Sequence, residues 1–307
     1  MRTNVSFPSA GIKIAGHLYT PDGEAGAPRP AIVVSHPGSG AKEQTAGLYA
    51  RRLADQGFVT LAFDAAYQGE SEGEPRGLED PAHRVEDIKA AVSFLTTRDE
   101  VDSDRIGALG ICASGGYALT ATASDHRIKA VGAVSAVDIA RQFRDGADGA
   151  QDPAVFRTML DAAAAARTAE ARGEGVPVFP LFPNTSAEAE AAGGGHGAEG
   201  FEYYCTPRAQ HPRSARSFTW SSVDRMAFFD GFRFVGLIAP RPLLLIVGRE
   251  AVTSWMSVEA FQNARGPKEL HWVDGASHVD LYDKEPYVGP AVTKLTDFFR
   301  TQLAKTR

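Results

Sequence analysis

Apolar residues along the chain fall into two rhythms. Short continuous runs occur at Pro30–Ser35 (around Ala-Ile-Val-Val), Phe58–Phe63, Ile106–Gly110, Ile128–Ser135 and Pro242–Val247. Runs without polar alternation predict strands buried on both faces. Between them, apolar positions recur every three or four residues. Leu48, Ala50 and Leu53 do so within 43–56, and Val85, Ile88, Ala91, Val92 and Leu95 within 81–97; a last amphipathic stretch covers about 287–304. These are helices with one buried face. Residues 3–7 and 11–20 read as two strands joined by a Pro-Ser-Ala-Gly turn, an antiparallel edge. Glu269–Val273 supplies a last strand. Strands alternating with helices predict an α/β fold, a mostly parallel sheet flanked by helices.

The alternation breaks over 139–235. This stretch is rich in Ala, Gly and Arg, with helical spacing at Ala154–Ala171 and a Pro/Gly-rich middle at Gly173–Gly200. It ends in a cluster of aromatics: Phe218, Trp220, Phe228, Phe229, Phe232 and Phe234. The expected organisation is a core of 1–138 and 236–307 with a helical lid insertion at 139–235. Aromatics carry large burial energies, so this end is expected to pack on the core or line a pocket.

Composition narrows the partners. The 307 residues are 43% hydrophobic and 23% charged, with a net charge of −6. An acidic chain of this kind argues against nucleic acid or an anionic membrane as the main partner. No apolar run approaches a bilayer span, and Met1–Pro8 has no signal-peptide core, so a cytoplasmic location is expected. The two cysteines, Cys112 and Cys205, support neither a disulfide framework nor a zinc site. The sequence leaves a homodimer open.

The chemistry concentrates at Arg105-Ile-Gly-Ala-Leu-Gly-Ile-Cys-Ala-Ser-Gly-Gly, a strand entering a helix through a tight turn. Small residues around a strained reactive side chain have the form of a nucleophile elbow, and the helix N-terminus favours a thiolate or alkoxide. Centring the turn on Cys112 matches the strand length and the ready activation of a thiol beside histidine. Shifting the frame by two makes Ser114 the nucleophile, flanked by Cys112 and Gly116. The base is expected late in the chain, and His278 lies in the loop Asp274-Gly-Ala-Ser-His-Val-Asp-Leu-Tyr-Asp, on the sheet edge that carries the elbow. His271 falls within a strand, whereas His17, His83, His126, His196 and His211 read as structural or solvated. Asp280, close to His278, reads as a tether of its loop.

Three segments together, His36-Pro-Gly-Ser-Gly, Gly110-Ile-Cys-Ala-Ser-Gly-Gly and Gly275-Ala-Ser-His, resemble the α/β-hydrolases of the dienelactone-hydrolase-related group. The resemblance spans the chain outside the insertion and implies an α/β-hydrolase fold. The Gly-x-Cys-x-Gly-Gly elbow of that group maps the nucleophile onto Cys112, with Ser114 standing where the group has glycine. Its usual triad acid follows the strand Pro242–Val247, but here Ala251 holds the commonest position and Glu250 comes one residue early. Asp138, after the preceding strand, is the alternative acid and is slightly favoured. The oxyanion donors implied are the amide of Ala113 and one from Gly38 or Ser39, since Pro37 has no N–H. The segment beginning at Asp64 resembles the group's next loop, and its Tyr67 is a candidate pocket residue.

The function expected is hydrolysis of an ester, lactone or thioester through an acyl-enzyme, with a small-molecule acyl substrate and neither metal nor organic cofactor. An acyltransferase or a cyclase of a polyketide-like intermediate is the rival on the same fold. A non-catalytic small-molecule binding protein is the rival from another class.

Overall fold

The computed structural model describes residues 1–22, 27–191 and 195–305. The chain opens with a hairpin of β1 (Arg2–Ser9) and β2 (Ile12–Tyr19), antiparallel throughout. Then follow β3 (Arg29–Ser35), α1 (Thr45–Asp55), β4 (Val59–Phe63), α2 (Pro81–Leu95), β5 (Val101–Ile111), α3 (Ala113–Ser124) and β6 (Ile128–Val134). The middle of the chain holds α4 (Ile139–Asp145), α5 (Pro153–Ala171), β7 (Val178–Pro180), α6 (Ser186–Ala191), α7 (His196–Cys205), β8 (Ser217–Thr219), α8 (Ser221–Ala227) and a 3₁₀ turn at Val235–Ile238. The pattern resumes with β9 (Leu243–Gly248), α9 (Ser254–Asn263), β10 (Lys268–Val273), the short α10 (Asp280–Asp283) and α11 (Glu285–Gln302).

Eight strands form one sheet in the order β1-β2-β4-β3-β5-β6-β9-β10, parallel from β4 onward. The apolar runs of β3, β4, β6 and β9 are buried because helices cover both faces. One face carries α1 and α11, the other α2, α3 and α9. Helix α2 starts where expected: the Asp80 carboxylate accepts from the Ala82 and His83 amides, and Pro81 fills the first turn. Its predicted stripe, Val85, Ile88, Ala91, Val92 and Leu95, is buried.

The strand read at Ile106–Gly110 is longer, running from Val101 to Ile111. After the buried Val101 come four polar residues, Asp102 to Arg105, which hide this half of the strand from a search for apolar runs. The segment between β6 and β9 is more ordered than its Gly content suggests. Helix α5 packs on α8, and β7 pairs with β8. Residues 192–194 of the Gly173–Gly200 middle lie outside the described residues. Of the six aromatics read there, Phe218 and Phe232 are buried, Trp220 and Phe229 pack against the core, and Phe228 and Phe234 are exposed. Among the described residues no helix is long and apolar enough to cross a membrane.

Candidate active site

Strand β5 delivers Cys112 into the turn before α3 with φ 56° and ψ −122°. A non-glycine residue held there costs about 1–3 kcal/mol and persists only where its surroundings enforce it. Here the Cys112 amide donates to Val134 O at 3.0 Å, while its carbonyl accepts from Gly115 N at 2.7 Å and Val137 N at 3.0 Å. The turn is so tight that a Cβ on Gly110 would lie 1.9 Å from Ser114 O. Gly115 lets α3 approach the end of β6, where a Cβ would lie 2.7 Å from Ala136 Cα.

Ser114 occupies the first turn of α3 with its hydroxyl fully engaged. It donates to His36 O at 2.5 Å and accepts from Arg84 Nη2 at 3.0 Å. Arg84, buried under the elbow, also donates to the carbonyl of His36 at 2.7 Å. His36 bonds Pro37 O through Nδ1 at 2.6 Å and accepts from Ala65 N at Nε2 at 3.0 Å. Burial, then the Arg84 charge, hold this imidazole well below its ordinary pKa. The network thus fixes the 36–40 loop against the elbow.

That loop brings the Gly38 amide to the Cys112 sulfur, where the Ala113 amide also points. Ser39 takes φ 65°, and its carbonyl is held by Ala215 N at 3.0 Å and Ser214 Oγ at 2.8 Å. Burial pushes the Cys112 thiol up, opposed by the nearby Tyr282 hydroxyl and these two amides, whose dipoles favour the thiolate. Both Ser39 and Gly38 line the cavity above Cys112, but Tyr67 does not. Tyr67 instead packs edge-on against His83, ring centroids 5.3 Å apart.

His278 sits at the expected sheet edge, fully buried. Its loop is bound to neighbouring strand ends: Ser135 Oγ donates to His278 O at 3.1 Å, and Glu250 N donates to Ala276 O at 2.9 Å. Neither expected carboxylate is hydrogen-bonded to the ring. Asp138 caps α4, accepting from Ala140 N at 2.9 Å and Arg141 N at 3.3 Å, while its second oxygen accepts from Gly231 N at 2.9 Å. Burial raises its carboxyl to about 6. Glu250 is exposed at the surface. The partner of His278 Nδ1 is the Thr253 hydroxyl at 2.6 Å, and that of Nε2 is the Tyr282 hydroxyl at 3.0 Å. Burial, then His196, lower the pKa of His278 well below the ordinary value.

Thr253 and Tyr282 escaped the reading of the sequence. A loop threonine carries no signal of its own, but Tyr282 stands four residues after His278, one helical turn away. The Asp280 carboxylate accepts from Ser277 N at 3.2 Å and pairs with Lys284, tethering the loop. His196, read as structural or solvated, packs its ring edge-on against His278 at 4.6 Å. Burial lowers it to about 4. Helix α7 further reaches the His278 loop through Glu199, which accepts from Val279 N at 3.2 Å.

Above the thiol lies a cavity of about 360 Å³. Its walls are largely apolar: Ile139, Phe143, Met159, Phe179, Leu181 and Phe218 among them. Most come from the segment between β6 and β9.

The site thus combines a strained thiol at a strand–helix turn with a buried histidine at the same sheet edge. A dienelactone hydrolase family model matches residues 14–143. Over 89% of both chains, the protein is 42% identical to the uncharacterized protein YcjY of Escherichia coli K12. The chain belongs to the dienelactone hydrolase family. The crystal structure of the hypothetical protein PA2218 from Pseudomonas aeruginosa, 36% identical, superposes with a TM-score of 0.91 over 98% of this chain and 94% of that one. The fold is that of the α/β-hydrolases, and family and fold together support a hydrolase. A more distant relative, the thiohydrolase aneE of Aspergillus aculeatus, is 27% identical over 88% of this chain and 84% of its own length.

Proposed function

We propose that this dienelactone hydrolase family member is an acyl hydrolase that uses Cys112 as nucleophile on thioesters or activated esters of apolar acyl groups. The observation that carries the reading is the Cys112 sulfur, held at positive φ between the Gly38 and Ala113 amides at the foot of an apolar cavity. Donors placed around the sulfur can turn to the oxygen of the attacked carbonyl as charge develops, which is worth about 3–4 kcal/mol per donor. Ser114 is unsuited to attack, because its hydroxyl is used in fixing the 36–40 loop. His278 accepts the thiol proton and returns it to the leaving group, with Thr253 holding its tautomer in place of a carboxylate. The segment 139–235 serves as the lid whose walls select the acyl group.

The distant thiohydrolase relative supports a thioester leaving group, as does the chemistry of a thiol nucleophile, which exchanges with a thioester on nearly equal terms. Transfer of the acyl group to a second bound nucleophile is the alternative, favoured by the burial of His278 away from bulk water. The test is turnover of a chain-length series of p-nitrophenyl esters and the matching N-acetylcysteamine thioesters. The account predicts that kcat/KM rises from acetyl toward acyl chains that fill the cavity, and that Cys112→Ala abolishes it. Turnover that survives Cys112→Ala overturns the assignment.

A further inference from the structure

His278 is not among the residues that line the cavity, whereas Tyr282 is. No hydrogen bond joins Cys112 to His278, and both ring nitrogens of His278 are occupied, Nδ1 by Thr253 and Nε2 by Tyr282. The group that stands between the base and the cavity is therefore a phenol. Tyr282 and Cys112 line the same cavity, where the phenol borders the thiol. Its ring is fixed by edge-on packing against Tyr203 at 5.1 Å, and the preceding Leu281 carbonyl is held by Tyr49 Oη at 2.7 Å.

We propose that Tyr282 is a catalytic residue, the phenol that carries the proton between the Cys112 thiol and His278 Nε2. This rests on the reading of Cys112 as nucleophile. The relay uses the tautomer in which Nδ1–H donates to Thr253 Oγ1 and Nε2 accepts from the Tyr282 O–H. As the S–H proton moves to the Tyr282 oxygen, the phenol's own proton moves to Nε2. The electron pair left on sulfur forms the bond to the acyl carbon. Collapse of the tetrahedral adduct breaks the bond to the leaving group. The chain then runs in reverse: Nε2 returns a proton to the phenol oxygen, and the phenol donates its proton to the departing thiolate or alkoxide. Tyrosine emerges unchanged, with no oxidant or second reactant needed. Burial keeps the phenol well above its ordinary pKa, so Tyr282 passes protons without resting as an anion.

The geometry also separates this role from simple packing. A phenol that merely fills space between sulfur and imidazole would block the two from meeting, and its removal would help catalysis. A relay makes Tyr282 and His278 act as one unit, so that loss of either is as damaging as loss of both.

The decisive experiment is a double-mutant cycle on the reactivity of the resting thiol. Iodoacetamide alkylation of Cys112 is followed by intact-protein mass, with Cys112→Ala identifying the adduct against Cys205. The proteins are wild type, Tyr282→Phe, His278→Ala and the double variant, each checked for an unchanged circular dichroism spectrum and melting temperature. The relay predicts that Tyr282→Phe slows alkylation at pH 7 about 10²-fold, that His278→Ala does the same, and that the double variant is no slower than either. Proton inventories of p-nitrophenyl ester acylation give a second readout: curved for the wild type, with two protons in flight, and linear for Tyr282→Phe. Alkylation of Tyr282→Phe at or above the wild-type rate overturns the proposal, as do effects that multiply in the double variant. If Tyr282→Phe fails to fold, a linear inventory in the wild type overturns it as well. The underlying assignment fails differently, when wild-type Cys112 alkylates but takes no acyl group from the ester.

Discussion

Replacing Thr253 by valine tests whether a hydroxyl does the work of the missing carboxylate. The side chain keeps its branched shape and loses only the oxygen 2.6 Å from His278 Nδ1. Both partners are buried, Thr253 at 1% exposure and His278 at 0%, so no water replaces the lost bond. An unpaired buried N–H costs about 1–3 kcal/mol, and the cost falls on the tautomer that acylation requires. That corresponds to about a 5- to 150-fold drop in the acylation rate. Thr253 does not line the cavity, so KM should hold while kcat falls. The assay is the stopped-flow p-nitrophenol burst, with Thr253→Ser as the control that keeps the hydroxyl. Thr253→Asp, which supplies a carboxylate, should raise the imidazole pKa and move the acidic limb of the kcat/KM profile to higher pH. Acylation of Thr253→Val within about twofold of wild type would refute this role for the hydroxyl, as would an equal loss in Thr253→Ser.

Ser114→Ala should keep an acylatable thiol while unfolding at lower urea, with about 1–3 kcal/mol lost because Arg84 and the His36 carbonyl lose a buried partner. Asp138→Ala should lose about 1–2 kcal/mol of stability with the α4 cap, yet the folded fraction should acylate at the wild-type rate. Glu250→Gln should change neither quantity. His196 is held at about 4 against 6.5 when unfolded, so below pH 6.5 the unfolded chain gains a proton the native state refuses. Stability from this residue is present above pH 6.5 and is lost at about 1.4 kcal/mol per pH unit down to about pH 4. His196→Gln should remove that contribution from the slope of unfolding free energy against pH, which urea titrations at pH 6.5 and 5.0 would read.

The sheet was legible because a strand covered on both faces has no polar side to interrupt its apolar run, as at Ala31, Ile32, Val33 and Val34. The elbow was legible as a motif but not in its frame, since Cys112 and Ser114 both have small neighbours. What separates them is backbone conformation: positive φ at Cys112, and a helical turn that directs the Ser114 hydroxyl back to His36 O. His278 was found by its place after the last parallel strand. Its partners were not, because Asp138 and Glu250 satisfy a rule about sheet edges while hydrogen bonds depend on which way a loop turns. Asp138 turns into the start of α4, and Thr253 at the start of α9 reaches the ring instead. The contacts of His196 and Glu199 depend on how the segment between β6 and β9 folds back over the sheet. No periodicity in that Ala- and Gly-rich stretch encodes its docking.

The most direct test of the central claim is intact-protein mass after brief exposure to p-nitrophenyl acetate, comparing wild type with Cys112→Ala, Ser114→Ala and His278→Ala. The account predicts an acetyl adduct on wild type and Ser114→Ala, none on Cys112→Ala, and a strongly slowed one on His278→Ala. An adduct that persists in Cys112→Ala and disappears in Ser114→Ala would contradict it.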